Sequence, residues 1–297
     1  MSDEKQWSLS LLEQVEINPR IAYCGQPDLA WCDCERTLQH FTWWEVRSGC
    51  AQVTTTHGTV IVEAGEWLLI PHGVWRHQVL KKGTHLTSLN FQAVWPNGRP
   101  VLTLLNPITG PNRNKLATLA RSVCRVVNRT EANRAKPLLD REVSLSDWLS
   151  FRSLLLSFFN ELVKCAMSKG GALLGPSSGD SRLDTILSEL RRDLYAGPLP
   201  YTGWGARLGV GRSQIDRLAQ RYLGCGLKTI RDAFLQDEIR HHFALGKLSA
   251  KELAAKFHFS DAAHFSRWVQ RATGHSPKDL RHMTIENRTQ TFHSTWA

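Results

Sequence analysis

The residues best placed to do chemistry lie in the stretch Ser249–Arg281. Phe265, Trp268 and Val269 fall on one face of a short helical run, which leaves Ala262, Ala263, His264, Ser266, Arg267 and Arg271 for its other faces. Small side chains let a helix approach a surface closely. Arg bonds guanine edges in pairs, or phosphate oxygens singly. Ahead of this run Ser249 is placed to cap a shorter helix carrying Leu253, Ala254 and Phe257, and His258-Phe259-Ser260 reads as a tight turn. Asp261 then caps the second helix and Gly274 ends it. A short helix, a tight turn and a second helix with a small, polar and basic outer face form the helix-turn-helix layout, whose second helix fits a major groove.

A second set of reactive residues lies near the N-terminus: His40, Glu45, His72, His77 and His85. Imidazole is the commonest metal ligand, yet no His-x-His pair occurs here. The seven cysteines are scattered, and Cys24, Cys32, Cys34 and Cys50 lack zinc-knuckle or ribbon spacing. No catalytic residue, metal or cofactor is therefore expected.

The elements that must position these groups fall into two textures. From Phe41 to Phe91 short β-branched and aromatic runs alternate with turn signals. The expected strands are 41–46, 51–56, 59–63, 67–70, 75–80 and 86–94, and such spacing suits a small barrel or jelly roll. Helices follow at 112–128 and 145–168, the latter with an apolar stripe of Leu149, Leu156, Phe159 and Val163 thickened by Leu155, Phe158 and Leu162. So wide a stripe predicts cover from a second copy of the chain. A Gly/Ser/Pro run then marks a linker. The reading is an α+β multidomain chain. Residues 1–170 form a β-barrel domain with helices, 171–180 a linker, 181–285 an all-α domain, and 286–297 a tail. The chain carries 37 Lys and Arg against 27 Asp and Glu, a net charge of +10 that favours anionic partners. The excess is shared by both halves, so charge alone does not locate the contact. No basic stretch followed by an apolar core opens the sequence, and no run is long and apolar enough for a membrane span, so a cytoplasmic protein without membrane contact is expected.

Leu253-Ala254, Phe259-Ser260-Asp261, Phe265-Ser266-Arg267, Gly274-His275-Ser276-Pro277 and Arg281 closely resemble the signature of the AraC/XylS family of transcription regulators, in order and spacing. The resemblance implies a second helix-turn-helix unit upstream. Ala206–Val210 matches its first helix and turn, and Gly211–Leu218 begins its recognition helix. Ile215, Leu218 and Tyr222 face inward there. Arg212, Ser213, Gln214, Asp216, Arg217 and Arg221 are the candidate contacts to double-stranded DNA, alongside those of the later unit. The sequence departs from the family pattern at Gly211, at Ala219, at Gly203 and Gly205 around Trp204, and at His258. A solvated helical bundle with scattered arginines is the alternative for one such unit; two in tandem argue against it.

The β segment resembles the cupin-like sensor domain of many family members at Ala64-Gly65-Glu66, Ile70-Pro71-His72-Gly73 and His77. That resemblance implies a small-molecule effector and a homodimer, and leaves room for a contact with RNA polymerase as an activator. The crowd of tryptophans makes a sugar the expected ligand, although tryptophans in a small domain more often pack its core. Trp43, Glu45, Trp75 and His77 are the candidate effector contacts, with the His77 side of its strand expected to point inward. The competing readings are a cupin-type metal enzyme and a sensor acting only through protein contacts.

Overall fold

The computed structural model describes residues 6–27, 29–128, 142–245 and 248–280. Arg281, which ends the family-like motif, and the expected tail 286–297 lie outside them.

The N-terminal domain is a three-layer arrangement. After a short helix α1 (Leu9–Leu12) come β1 (Glu16–Gly25), α2 (Leu29–Cys32), β2 (Asp33–Thr37), β3 (Phe41–Ser48), β4 (Cys50–Thr55), β5 (Gly58–Glu63), β6 (Glu66–Ile70), β7 (Trp75–Leu80) and β8 (His85–Val94). The short strands β9 (Leu102–Thr103) and β10 (Ile108–Pro111) precede α3 (Lys115–Asn128) and α4 (Leu145–Ser168). One antiparallel sheet has the order β1-β8-β3-β6-β10 and the other β2-β7-β4-β5. The result is an open two-sheet jelly roll rather than a closed barrel.

Side-chain alternation explains the layers. In β3, buried on both faces, Phe41 and Trp43 join a core with α3 and α4, whereas Trp44 and Val46 join a core with the small sheet. Phe91 of β8 stacks on Phe41 with ring centroids 5.4 Å apart and meets Phe158 of α4 edge-on at 5.5 Å. Both edges of the large sheet carry proline, Pro19 in β1 and Pro111 in β10, where a missing N–H costs no ladder bond. Beyond Pro19 the register shifts before Ile21.

Ser144 caps α4, accepting from the Asp147 amide. Leu155, Phe158, Phe159, Leu162 and Ala166 are buried against the sheet and α3, so Phe159 belongs to the domain's own core. Leu145, Trp148, Leu149 and Leu156 are exposed. The connection after α4 is held close to the N-terminal domain. Its strand β11 (Ala172–Leu173) pairs with β9, Trp95 donates to the Leu174 carbonyl at 2.7 Å, and Asn97 donates to that of Pro176 at 2.6 Å.

The C-terminal domain is helical: α5 (Ser181–Arg192), α6 (Tyr201–Leu208), α7 (Arg212–Leu223), α8 (Leu227–Leu245), α9 (Ala250–Lys256) and α10 (Ala262–Thr273). It has two cores. Leu227 of α8 belongs to the first, with Trp204, Ile215 and Ala219; Leu235, Ile239 and Phe243 belong to the second, with Leu253, Phe265 and Val269. A single helix thus packs into both units and sets their relative orientation.

Candidate nucleic-acid interface and ligand cavity

The later unit is built from α9 and α10. Ser249 and Glu252 form a reciprocal capping box at the start of α9. The turn passes through His258 at φ 55°, a left-handed conformation that His tolerates better than most residues. Asp261 caps α10, accepting from the His264 amide at 2.6 Å, and Gly274 ends it at φ 77°. With Phe265, Trp268 and Val269 buried, Ala262, Ala263, Arg267 and Arg271 are exposed, and Ser266 and His264 are half-buried beside them. Ser266 donates to the Ala262 carbonyl, and His264 Nδ1 lies 3.1 Å from Ser260 Oγ. No acid interrupts α10 itself, so its outer face is small, polar and basic.

The earlier unit repeats this pattern. Ile215, Arg217, Ala219, Gln220, Arg221 and Gly224 occupy the places of Phe265, Arg267, Val269, Gln270, Arg271 and Gly274. Gln220 and Gln270 each donate to the carbonyl of the glycine that follows their helix. Arg212, Ser213, Gln214, Arg217 and Arg221 are exposed. Asp216 is committed within the protein: the Tyr201 hydroxyl donates to it at 2.6 Å, and Arg212, stacked 4.7 Å over the Tyr201 ring, approaches it at 3.8 Å. The departures from the family pattern also find causes. A Cβ on Gly205 would stand 2.9 Å from the Val210 carbonyl oxygen, so glycine lets the turn close onto α6. Trp204 and Ala219 share one core, a large and a small side chain filling it together. Trp204 also donates to Glu189.

The candidate effector residues do not come together. Trp43 is fully buried on the helix side of the large sheet. Glu45 is buried too, bonded to Arg121 at 2.7 Å and to Asn112. Strand β7 alternates as expected but in the opposite phase. Arg76, Gln78 and Leu80 point inward, while Trp75 is exposed and His77 pairs on the outer face with Asp33 at 2.8 Å. A strand reading Trp-Arg-His-Gln-Val-Leu has polar residues on both faces, so hydrophobic pattern cannot choose its phase.

The cavity lies instead on the Arg76 side, where the mouth of the two sheets meets α8 and α10. It measures about 190 Å³ and is lined by Trp31, Arg36, Trp44, Arg76 and Asn90 of the N-terminal domain and Arg240 of α8, among others. Arg76 donates to Gln78 and to Thr42, both neutral, and lies over the Trp44 ring at 5.6 Å. Burial lowers the Arg76 guanidinium to about 9 and that of Arg240 to about 10, with Arg36 pushing each further down. The lone charged residue of an otherwise half-apolar strand, Arg76, was the signal for this cavity in the sequence. Among the described residues no group of three or more His, Cys, Asp or Glu is placed to hold a metal, and no helix is long and apolar enough to cross a membrane.

Next to the cavity the domains are joined by ion pairs. Arg20 of β1 and Gln92 of β8 each bond Asp237 of α8 at 3.0 Å, and Arg191 of α5 pairs with Glu16 at 2.8 Å. His40 Nδ1 stands 3.8 Å from Asp237. Burial works against the Asp237 charge, but His40 and Arg20 outweigh it and hold the carboxyl below its ordinary value.

Comparison with known proteins places both parts. The helix-turn-helix domain family matches residues 204–283, spanning both units. No curated protein matches the chain by sequence. Among solved structures, a ToxT variant from Vibrio cholerae strain SCE256 superposes with a TM-score of 0.56 at 9% identity, covering 91% of this chain and 97% of that one. ToxT from Vibrio cholerae O395 gives 0.53 at 12% identity, covering 92% and 98%. Wild-type ToxT with an unsaturated fatty acid bound gives 0.52 at 10% identity, covering 91% and 95%. The tandem units and the matched domain define a DNA-binding transcription regulator. The chain has the two-domain fold also seen in ToxT, with the matched helix-turn-helix domain as its C-terminal part.

Proposed function

We propose that this regulator reads two successive major grooves on one side of the duplex, α7 in one and α10 in the next, under control of a small molecule bound between its domains. The carrying observation is the cavity itself. Its walls come from the inner faces of both sheets and from α8, the helix packed into both DNA-binding units. A ligand there touches the sensor and the element that sets the geometry of DNA contact, which is the requirement for coupling the two binding events. That ToxT of the same fold has been seen with a fatty acid supports a ligand-holding role for this domain.

The ligand is assigned by the cavity rather than by the tryptophan count. Trp31 and Trp44 alone among the tryptophans of the described residues line it, so the argument for a sugar loses most of its support. The exposed residues of α4 support a homodimer formed through that helix, and an activator of this design would meet RNA polymerase from the cytoplasmic duplex. The test is a footprint of the full chain on DNA upstream of its own gene, with and without small metabolites. Protection of two segments about one helical turn apart, altered by a metabolite, is the expected result. A chain that protects no DNA would act through protein contacts alone.

A further inference from the structure

We propose that the cavity between the sheets and α8 is made for a compact ligand with two or more negative charges, held by Arg36 and Arg76 of the small sheet and Arg240 of α8. This rests on reading the cavity as the effector site, and adds the charge and size of the occupant.

The charge argument starts from what the three guanidiniums lack. Arg76 is 2% exposed, yet it donates to the neutral oxygens of Gln78 and Thr42. Arg36 Nε is buried without a partner, and Asn90 Oδ1 on the same lining is also unpartnered. Among the described residues no carboxylate lies within 4.0 Å of Arg36, Arg76 or Arg240. The two acids on the lining are otherwise occupied. Asp237 is bound by Arg20 and Gln92, and Glu35 alternates with Cys34 and Arg36 onto the exposed face of β2. Desolvated guanidiniums with no carboxylate in contact are costly, and three around one space are costlier still; Asp237, already paired with Arg20, offsets only part of this at Arg240. The depressed values of Arg76 and Arg240 record that cost. An anion entering the cavity relieves it.

One carboxylate accepts one guanidinium side-on. Arg36 and Arg76 pair across β2 and β7 on one wall and Arg240 stands on α8 opposite, so the two walls ask for more than one anionic group, with Asn90 free to accept from a hydroxyl. Size narrows the choice. Drug-sized ligands occupy roughly 300–1,000 Å³, and about 190 Å³ is below that range. The shared chemistry is that of short di- and tricarboxylates and small phosphate esters, which fit the space better than a long acyl chain.

The experiment uses the full chain without DNA, at constant ionic strength. Succinate, citrate, inorganic phosphate, glucose and oleate are compared by calorimetry and thermal shift. Saturable one-to-one binding of a carboxylate or of phosphate is expected, and which of them binds distinguishes the two sources. Arg76→Gln and Arg240→Gln should each weaken it at least tenfold. Should Arg76→Gln fail to fold, Arg240→Gln on α8 decides alone. The double variant Arg217→Ala/Arg267→Ala should bind the anion as well as the parent, which separates the cavity from the DNA-binding face. No saturable binding by any of the three anions, or equal binding by the parent and Arg240→Gln, overturns the proposal. Binding of glucose or oleate in their place overturns the charge assignment and leaves the effector reading intact. An anion that binds through Arg240 and leaves DNA affinity unchanged sustains the site and refutes its effector role.

Discussion

Arg20 on the first strand of the sandwich and Asp237 on α8 form an ion pair of 3.0 Å across the domain boundary. Both side chains are largely covered, so the pair is a structural joint rather than a surface ornament. Breaking such a pair from one side leaves the other charge stranded. Asp237→Asn should therefore loosen the docking at a cost of about 3 kcal/mol. Faster proteolysis of the connection around residues 169–179, with unchanged helix content by circular dichroism, is the expected reading. An unaltered cleavage rate would mean the domains are held elsewhere.

The same joint predicts a pH dependence. Burial lowers the His72 imidazole from 6.5 to about 4, with the nearby His40 adding to the effect, and burial lowers His40 as well. Once undocked, His72 regains its ordinary affinity for protons. Between about 4 and 6.5 the docked form thus binds fewer protons and gains stability as pH rises. Its contribution is complete above pH 6.5 and is lost as pH falls toward 4. Asp237, whose carboxyl is held low, adds a loss in the same direction below its ordinary 3.8. Thermal melts from pH 7.5 downward should fall, and His72→Gln should flatten the slope.

Arg217 and Arg267 hold equivalent places on α7 and α10. Each, changed to Ala, should cost about 1–3 kcal/mol of discrimination at its own base pairs and leave the fold intact. Footprints of the two variants should weaken at different segments of the operator. Loss at one common segment would refute the two-groove arrangement.

On α4 the residues available to a second copy are Leu145, Trp148, Leu149 and Leu156. Leu149→Glu and Leu156→Glu should each yield a folded monomer by light scattering. Phe159 is unsuitable for this purpose, since its ring packs at 6.2 Å from Phe91 within the domain. If both glutamate variants remain dimeric, the contact uses another face.

Two glycines of one helix should respond with opposite signs. Gly203 has open space where a Cβ would go, so Gly203→Ala should stabilise the chain by roughly 0.5–1 kcal/mol. Gly205→Ala drives its methyl against the Val210 carbonyl oxygen and should destabilise instead. Chemical denaturation of both variants checks this; matching gains would show that the turn has room to give.

Most strands of the sandwich were legible because their apolar runs are bounded by turn residues, as in β4 and β5. Both helix-turn-helix units were legible because a pair of buried residues four apart, Ile215 and Ala219 or Phe265 and Val269, and a terminating glycine recur in step. Strands β1 and β2 were not. Pro19 and a register shift interrupt the first, and the second reads Asp-Cys-Glu-Arg-Thr, whose inward residues are a thiol and a guanidinium. The cavity was misplaced for the same reason. A cavity lined with arginine inverts the usual rule that the apolar side of a strand faces in, so Trp75 and His77 were assigned the face that Arg76 and Gln78 hold. Asp237 and Arg240 were invisible as site residues because nothing in a helix says which distant strand it will meet.

The joining helix α8 has a consequence for the DNA itself. It runs 19 residues without a break, a rod of about 28 Å whose two ends keep a constant angular phase. One inserted residue would turn the later unit by about 100° and carry it off its groove. On the proposed two-groove reading, the interval between the recognised segments is thereby set by the protein as a gauge length. Such a gauge would let promoters vary the letters within each segment, whereas a promoter that changes the interval would drop out of reach.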